Sequence, residues 1–177
     1  MSAKILVTYS TKYGSTQGVA ETIAKVLSEK YFVVDLLPSR EVRSLEDYQA
    51  VILGAPIYAG SILSDSIKFI NRFKDSLERT PSAIFILGPL DGSPQELRGV
   101  QMQVDANRKK KFSWYKPTTN KIFTGALDLS KLRFPDSLIK LYRSTPKNSL
   151  TSKDERDWKA INAWATSLPE ILGLLKT

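Results

Sequence analysis

Residues 5–16 read Ile5-Leu6-Val7-Thr8-Tyr9-Ser10-Thr11-Lys12-Tyr13-Gly14-Ser15-Thr16, which is an apolar, β-favouring run followed by a hydroxyl-rich turn. Apolar residues then recur at helical spacing, at Val19, Ala20, Ile23, Ala24 and Leu27. The stretch therefore predicts a strand, a tight turn and a helix in direct succession. Residues 10–16 form the turn, called the first loop below, and the rest of the chain is interpreted as the scaffold that supports it.

The first loop has the chemistry of an anion-binding site, because the first N–H groups of a helix have no intrahelical partners and carry partial positive charge. Gly14 permits a positive φ or a close approach of the backbone to a ligand. Further donors come from four hydroxyl groups, on Ser10, Thr11, Ser15 and Thr16. A phosphate monoester fits this chemistry, although the spacing matches neither a nucleotide P-loop nor a dinucleotide fingerprint. In the alternative interpretation, Ser15 only caps the helix and Gly14 only forms the turn.

The composition restricts the chemistry of the whole protein. At 177 residues the chain fits a single domain, 1–177, that is large enough to bury an ordinary hydrophobic core. It contains no cysteine and no histidine, which excludes disulfides, thiolate and imidazole metal sites, and every Ser-His or Cys-His catalytic pair. Reaction chemistry must therefore come from a bound cofactor or from carboxylate, Lys, Arg, Tyr and hydroxyl groups.

Hydrophobicity and charge favour a protein of the cytoplasm that meets anionic partners. No apolar run approaches the ~20 residues needed to span a bilayer, and the N-terminus has no charged-then-apolar signal pattern. The expected compartment is therefore the cytoplasm. The net charge of +8 favours an anionic ligand, partner or membrane surface, although a solvated basic face without a specific role explains it equally.

Strand and helix patterns alternate along the rest of the chain. Strands are predicted over residues 31–36, 50–54, 83–87 and 121–127. Helical patterns follow at 44–48 (one short turn), 64–77 (capped by Ser64), 95–107, 134–142, and after a capping box at 152–155. The alternation predicts a parallel α/β sheet with right-handed crossovers, and the tryptophans of the last helix are expected in the core.

Three loops are expected to meet at one edge of this sheet. Ligands of open doubly wound sheets bind at the carboxyl ends of the strands, where the winding direction reverses, which for the order 2-1-3-4-5 lies between strands 1 and 3. The first loop, residues 55–61 and residues 88–94 converge there. Tyr58 offers a flat apolar surface and Asp91 a polar group, so a planar heterocycle with a phosphate would satisfy all three loops. Alternatively, Tyr58 only packs against neighbouring residues, and Asp91 only stabilises the turn in which it lies.

Residues 108–117 interleave cations with aromatic residues and contain no acidic residue. Nucleic-acid binding uses such a mixture for phosphate contacts and base stacking. The alternative is a solvated basic loop with Trp114 packed against the sheet, and it is favoured over nucleic acid.

The order of the elements, residues 8–16 and the Gly-Ala-Pro-Ile-Tyr-Ala-Gly stretch at 54–60 together resemble the flavodoxin superfamily. The resemblance covers nearly the whole chain. It implies a flavodoxin-like three-layer sandwich, in which a five-stranded parallel sheet of order 2-1-3-4-5 has helices on both faces. It also implies FMN as the cofactor, with its phosphate in the first loop. The cofactor-binding residues carried over from the family are Ser10, Thr11, Lys12, Tyr13, Gly14, Ser15, Thr16, Pro56, Ile57, Tyr58, Ala59, Gly60, Gly88, Pro89, Leu90, Asp91 and Gly92.

A narrower resemblance is to menaquinone-dependent protoporphyrinogen dehydrogenases. It is carried by the segments 114–117, 124–127 and 139–141, by Asp136, and by a basic insertion around residues 108–120 before the fifth strand. The resemblance implies an enzyme that takes electrons from a reduced tetrapyrrole and passes them to a quinone, in the cytoplasm or peripherally at the inner face of the membrane. If that resemblance holds, the cationic and aromatic composition of the insertion alone gives the hypothesis that substrate or anionic lipid contacts Lys109, Lys110, Lys111, Trp114 and Tyr115.

Two departures from the family keep other functions open. Electron-carrier flavodoxins are usually acidic and stack the flavin between two aromatic residues, whereas this chain is basic and residues 88–94 contain no aromatic residue. The main alternative is nevertheless a flavodoxin-type carrier that docks on a redox protein partner. An NAD(P)H–quinone reductase, for which no second nucleotide motif is evident, and a flavin-free interaction module of the same fold are the others.

Overall fold

Secondary structure alternates along the chain as the sequence predicts. The computed structural model describes residues 3–88, 92–131 and 152–175. In chain order its elements are β1 (Lys4–Tyr9), α1 (Ser15–Glu29), β2 (Val33–Pro38), β3 (Ala50–Tyr58), β4 (Ser61–Ile62), α2 (Ser64–Arg72), α3 (Lys74–Leu77), β5 (Ser82–Leu87), α4 (Pro94–Lys111), β6 (Thr119–Phe123), β7 (Ala126–Leu127), a 3₁₀ turn (Leu129–Lys131), β8 (Lys153–Asp154) and α5 (Trp158–Ile171).

The central sheet has the order β2-β1-β3-β5-β6, and each neighbouring pair of these five strands is parallel. In its register, Val7 of β1 lies between Leu36 of β2 and Ile52 of β3. Since β5 and β6 are the fourth and fifth predicted strands, the predicted order 2-1-3-4-5 is confirmed. The switch point between β1 and β3 therefore lies where the first loop leaves the sheet.

Each face of the sheet is covered by helices. Alternate residues of a strand point to opposite faces, so Ile5 belongs to the buried cluster that includes α1 and α5, whereas Leu6 belongs to the cluster that includes α2 and α4. Side chains such as Phe85 and Ile161 are fully buried, and each contributes about 1.5–3 kcal/mol relative to exposure. The predicted three-layer sandwich is confirmed, and its core fixes the edge on which the loops lie.

The third strand is longer than predicted. Residues 55–58 continue β3 instead of forming a loop, and the chain then turns back into β4, with Ile57 opposite Ile62 and Tyr58 opposite Ser61. The two turn residues, Ala59 and Gly60, have φ of 45° and 77°. Two successive positive φ values match the right-handed twist of a two-residue hairpin. This hairpin was not predicted from the sequence, because its turn is Ala-Gly and lacks the Asn-Gly or Asp-Gly signature.

The end of the predicted fifth strand and the predicted capping box form a separate two-stranded sheet. β6 ends at Phe123, and β7 pairs antiparallel with β8, so the capping box predicted at 152–155 is wrong. The cap of α5 is instead Asp157, whose Oδ1 accepts from the N–H of Ala160 at 2.9 Å. Trp164 lies in the core as predicted (8% exposed), but the prediction is wrong for Trp158 (38% exposed). The helix predicted over 134–142, and with it Asp136 and 139–141, lies outside the described residues.

Smaller differences have local causes. β2 begins at residue 33, because Tyr31 (φ 67°) ends α1 in the left-handed position that usually holds glycine, with the N–H of Phe32 donating to the carbonyl of Leu27. Residues 44–48 form a single hydrogen-bonded turn, in which the N–H of Tyr48 donates to the carbonyl of Leu45 at 3.2 Å, and no helix. Leu63, not Ser64, is the N-cap of α2, and the predicted helix 64–77 is divided at Phe73.

Candidate functional site

The first loop is tied at its base to both neighbouring strands. The N–H of Ser10 donates to the carbonyl of Gly54 in β3 at 2.9 Å. The hydroxyl oxygens of Ser10 and Ser39 lie 2.6 Å apart, which joins the loop to the end of β2. Thr11 Oγ1 accepts from the N–H of Gly14 at 2.8 Å and closes the turn. Both polar groups of Ser10 therefore have protein partners, and the loop is held in shape before any ligand binds.

The N-terminus of α1 is open to a ligand. Gly14 is its N-cap, at φ 91°, and no side chain of the described residues caps the helix, so the alternative in which Ser15 is the cap is wrong. An added Cβ on Gly14 would meet nothing within 4 Å, so conformation, not space, requires glycine here. Thr16 is fully buried, and its Oγ1 has no hydrogen-bond partner in the part of the chain that the structure describes. Buried hydroxyls are nearly always bonded, and these features together fit a bound phosphate.

A cation that sequence reasoning missed lies beside this helix end. Arg156 donates through Nη1 to the carbonyl of Ser15 (3.4 Å) and through Nε and Nη2 to both carboxylate oxygens of Asp154 (2.8 and 2.5 Å). Its guanidinium carbon lies 4.5 Å from the ring centroid of Trp158. The Arg156 hydrogen bonds hold the pKa of Asp154 below its usual value. Arg156 lies 141 residues after Ser15 and belongs to no local motif, so sequence patterns could not assign it to the first loop.

Gly18 lies next to this arginine. An added Cβ on Gly18 would lie 2.9 Å from Arg156 Nη1, so a larger residue here would require the guanidinium to shift. The first loop, β7, β8 and the 3₁₀ turn line an open cavity of about 320 Å³. Two of its three cations are paired with carboxylates of the same lining, Lys131 with Asp128 (3.6 Å) and Arg156 with Asp154 (2.5 Å), and the third cation is Lys153.

The hairpin of β3 and β4 meets the first loop, as the convergence of loops predicts. The rings of Tyr13 and Tyr58 are in edge contact, with centroids 6.0 Å apart and planes at 75°. Lys12 Nζ lies 5.6 Å from each of these centroids. The structure therefore brings together the first loop, predicted to bind the phosphate, and residues 55–61, predicted to contact the planar ring.

The third predicted loop is described only at its ends. Gly88 packs so tightly that an added Cβ would lie 2.6 Å from Ile57 Cγ2 and 3.2 Å from Val100 Cγ1. Gly92 is near Thr124, at 3.8 Å for an added Cβ. Pro89, Leu90 and Asp91 lie outside the described residues, so their assignments stay predictions.

A model of the flavodoxin domain matches residues 6–148 of this chain. The chain belongs to the flavodoxin family. Among its relatives, the protoporphyrinogen IX dehydrogenase [quinone] of Leishmania major is 28% identical over 93% of this chain and 74% of its own length. The enzyme of the same name from Escherichia coli K12 is 24% identical over 95% of this chain and 96% of its own length.

Solved structures show the same fold. An archaeal flavodoxin superposes with a TM-score of 0.57 at 14% identity, covering 96% of this chain and 99% of its own. A flavodoxin variant from Pseudomonas aeruginosa gives 0.54 at 15%, covering 96% and 99%. Membership of the flavodoxin family implies a flavin cofactor and supports a flavin-type oxidoreductase. Among the described residues, no helix has the length and apolarity that crossing a membrane requires.

In this flavodoxin-family chain the basic segment is not one loop. Residues 108–111 form the last turn of α4, where cations complement the helix dipole. Lys111 Nζ donates to Ser61 Oγ at 2.8 Å, beside the hairpin, whereas Lys109 and Lys110 are exposed. The structure therefore brings only one of the three lysines to the predicted ring site.

The two aromatic residues of the segment have different environments. Trp114 is half-buried and donates through Nε1 to Asn71 Oδ1 at 3.3 Å. Tyr115 is 2% exposed, bonds Ser82 through its hydroxyl at 3.1 Å, and has a pKa raised to about 12 by burial. A contact with substrate or lipid needs an exposed surface, which the buried Tyr115 does not have. The contact assigned to Trp114 stays a prediction.

Proposed function

We propose that this chain is an FMN-dependent oxidoreductase of the protoporphyrinogen dehydrogenase type, which takes electrons from a reduced tetrapyrrole and passes them to a quinone. The observation that carries the proposal is the N-terminus of α1, where Gly14 is the N-cap and the buried hydroxyl of Thr16 has no partner among the described residues. The two relatives of that name, which match over more than nine-tenths of this chain, support the choice of substrate and acceptor.

The phosphate of FMN would be held by the backbone N–H groups of the first turn of α1 and by the Thr16 hydroxyl. Arg156 would add positive charge and keep that helix end in place. Tyr58 and Tyr13 would cover the flavin on one side and exclude water from it. When bound, FMN supplies the redox chemistry, which needs neither histidine nor cysteine from the protein.

Substrate recognition is assigned to the exposed part of the basic segment. Lys109 and Lys110 are exposed at the end of α4, and Trp114, which follows three residues after the helix, is half-buried. These groups suit the carboxylates of a tetrapyrrole or the head groups of anionic lipids. Replacing both lysines by alanine should weaken porphyrinogen or liposome binding and leave FMN affinity unchanged; unchanged binding to both would remove this assignment.

The decisive experiment has two steps. FMN is titrated into the flavin-free chain and binding is followed by the visible absorption of the flavin, which should saturate at one FMN per chain. The loaded protein is then mixed anaerobically with protoporphyrinogen and a menaquinone analogue, and we expect porphyrin fluorescence to appear only when the quinone is present. No binding of FMN would eliminate the proposal, and binding without porphyrin formation would eliminate the substrate.

A reductive titration distinguishes the enzyme from a flavodoxin-type carrier. A carrier passes single electrons between protein partners and needs a well-populated neutral semiquinone, whereas a dehydrogenase works with direct two-electron reduction. We expect the spectrum to convert from oxidised to reduced flavin with little semiquinone. A dominant semiquinone together with no porphyrinogen turnover would instead favour the carrier.

A further inference from the structure

Asn107 is a buried amide on α4 whose hydrogen-bonding capacity is fully used. It is 7% exposed, and its Nδ2 donates to the carbonyls of Gly60 and Gln103, both at 2.8 Å. Its Oδ1 accepts from the N–H of Ile62 and from the hydroxyl of Ser61, both at 3.3 Å. A side-chain amide has two donors and two acceptor positions, and three of these four bonds go to the β3–β4 hairpin.

The hairpin is short, and its turn has an unfavourable backbone conformation. β4 is only two residues long, and it is anchored to the core through the buried Ile62. The turn places a residue with a side chain, Ala59, at φ 45°, in the left-handed region that favours glycine. The amide of Asn107 pairs with the second turn residue, Gly60, and with Ser61 and Ile62 of β4, so a contact up to 47 residues away in sequence supports the conformation of the turn.

One face of α4 reaches both predicted ring loops. Gln103, Asn107 and Lys111 are spaced four residues apart and therefore share that face, and Lys111 Nζ bonds Ser61 beyond the amide. Two turns earlier on the helix, Val100 packs against Gly88 at the start of the third loop. The same helix thus contacts both the hairpin and Gly88.

We infer that Asn107 is a positioning residue of the flavin site: it holds the hairpin in the conformation that presents Tyr58 to the first loop. The inference builds on the proposed function, because it names the residue through which α4 shapes the ring side of that site. Asn107 does not contact the first loop in the described structure, so its effect should fall on binding of the ring system and not on binding of the phosphate.

Riboflavin separates these two contributions, because it has the ring system of FMN without the phosphate. In Asn107→Ala we expect riboflavin and FMN affinities to fall by the same factor, about tenfold, and the flavin absorption to shift as its surroundings change. In Thr16→Val we expect FMN affinity to fall and riboflavin affinity to stay unchanged. Asn162→Ala is the matched control, because Asn162 Nδ2 makes the same bond to the carbonyl four residues earlier (2.7 Å to Trp158) without touching a loop.

Hydrogen exchange of the flavin-free protein gives a readout that needs no cofactor. The amide of Ile62 bonds Asn107, and that of Leu63 bonds the carbonyl of Pro56 at 3.1 Å. Both should exchange at least tenfold faster in Asn107→Ala and at the wild-type rate in Asn162→Ala. If Asn107→Ala does not fold, Ser61→Ala removes one bond of the same set and should show the same pattern with a smaller factor.

The outcomes separate the two proposals. If the wild-type chain binds riboflavin and FMN but Asn107→Ala binds both with wild-type affinity, this inference is overturned and the proposed function stands. Wild-type exchange rates at Ile62 and Leu63 in the variant would overturn it as well. If the wild-type chain binds no flavin, the proposed function fails first, and the positioning role fails with it.

Discussion

The two sides of the candidate site are specified in different ways. The proposed phosphate side is almost entirely local: seven consecutive residues, 10–16, supply the turn, the glycine and the Thr16 hydroxyl, which has no partner among the described residues. The proposed ring side is assembled from residues far apart in sequence, because Asn107 bonds the hairpin and Gly88 packs between Ile57 and Val100. A short motif is therefore enough to propose a phosphate site, while the surroundings of the rest of a ligand depend on the tertiary structure.

The largest effect is expected where the ring side is packed most tightly. In Gly88→Ala the new Cβ overlaps Ile57 at 2.6 Å and crowds Val100, and overpacking of this kind destabilises by about 1–3 kcal/mol. Urea unfolding should show this loss together with weaker riboflavin binding. Gly99→Ala is the control, because an added Cβ there meets nothing within 4 Å and alanine stabilises a helix interior by about 0.8–1 kcal/mol relative to glycine.

Removing the Thr16 hydroxyl should not destabilise the protein, in contrast to Gly88→Ala. Thr16→Val replaces a buried group without a described partner by a methyl group, so the flavin-free protein should unfold at the same temperature or a higher one. FMN affinity should nevertheless fall about tenfold, which corresponds to about 1.4 kcal/mol. Thr8→Val is the matched control: its hydroxyl is also buried without a described partner, but it lies within β1. Equal loss of FMN affinity in both variants would contradict a phosphate role for Thr16.

Arg156 lies outside residues 10–16 but bonds Ser15, so replacing it measures how much a distant residue contributes to the proposed phosphate site. Arg156→Gln removes the charge beside Ser15, and FMN affinity should fall severalfold at low salt and less at high salt. Asp154, whose pKa the arginine depresses, contributes stability above the ordinary carboxyl pKa near 4, and this contribution disappears as the pH falls through the depressed value. The pair is partly exposed, so its contribution is about 0–1 kcal/mol.

Melting temperatures at pH 7 and pH 3 check this prediction. The difference between wild type and Arg156→Gln should be present at pH 7 and shrink towards pH 3. A difference that does not depend on pH would mean that the arginine acts through packing on Trp158 alone.

The smallest effect is expected at a position that belongs to neither side. Tyr31 is 87% exposed and adopts φ 67° at the end of α1, where a side chain costs about 1–2 kcal/mol and glycine avoids this strain. Since glycine also has the larger unfolded-state entropy, Tyr31→Gly should stabilise the protein by about 0.5–1 kcal/mol. Affinities for FMN and riboflavin should be unchanged, and a change in either would show that α1 transmits strain to the first loop.

Much of the fold could be predicted from local patterns, and the failures share a cause. The buried strands and the face of α1 were predicted because apolar periodicity is a property of neighbouring residues. The hairpin, β8 and the cap at Asp157 were missed because each is selected by a partner distant in sequence. For the same reason the first loop was found in the sequence, whereas Arg156 and Asn107 became visible only in three dimensions.

The edge contact between Tyr13 and Tyr58 joins the two sides of the site. A ligand that moves one ring changes the surroundings of the other, so this contact is a physical route by which the two halves of the proposed site can be coupled. By reciprocity, whatever factor inorganic phosphate applies to riboflavin affinity, riboflavin must apply to phosphate affinity. Measuring that factor in a double-mutant cycle across the tyrosine pair gives the part of the coupling that passes through the ring contact.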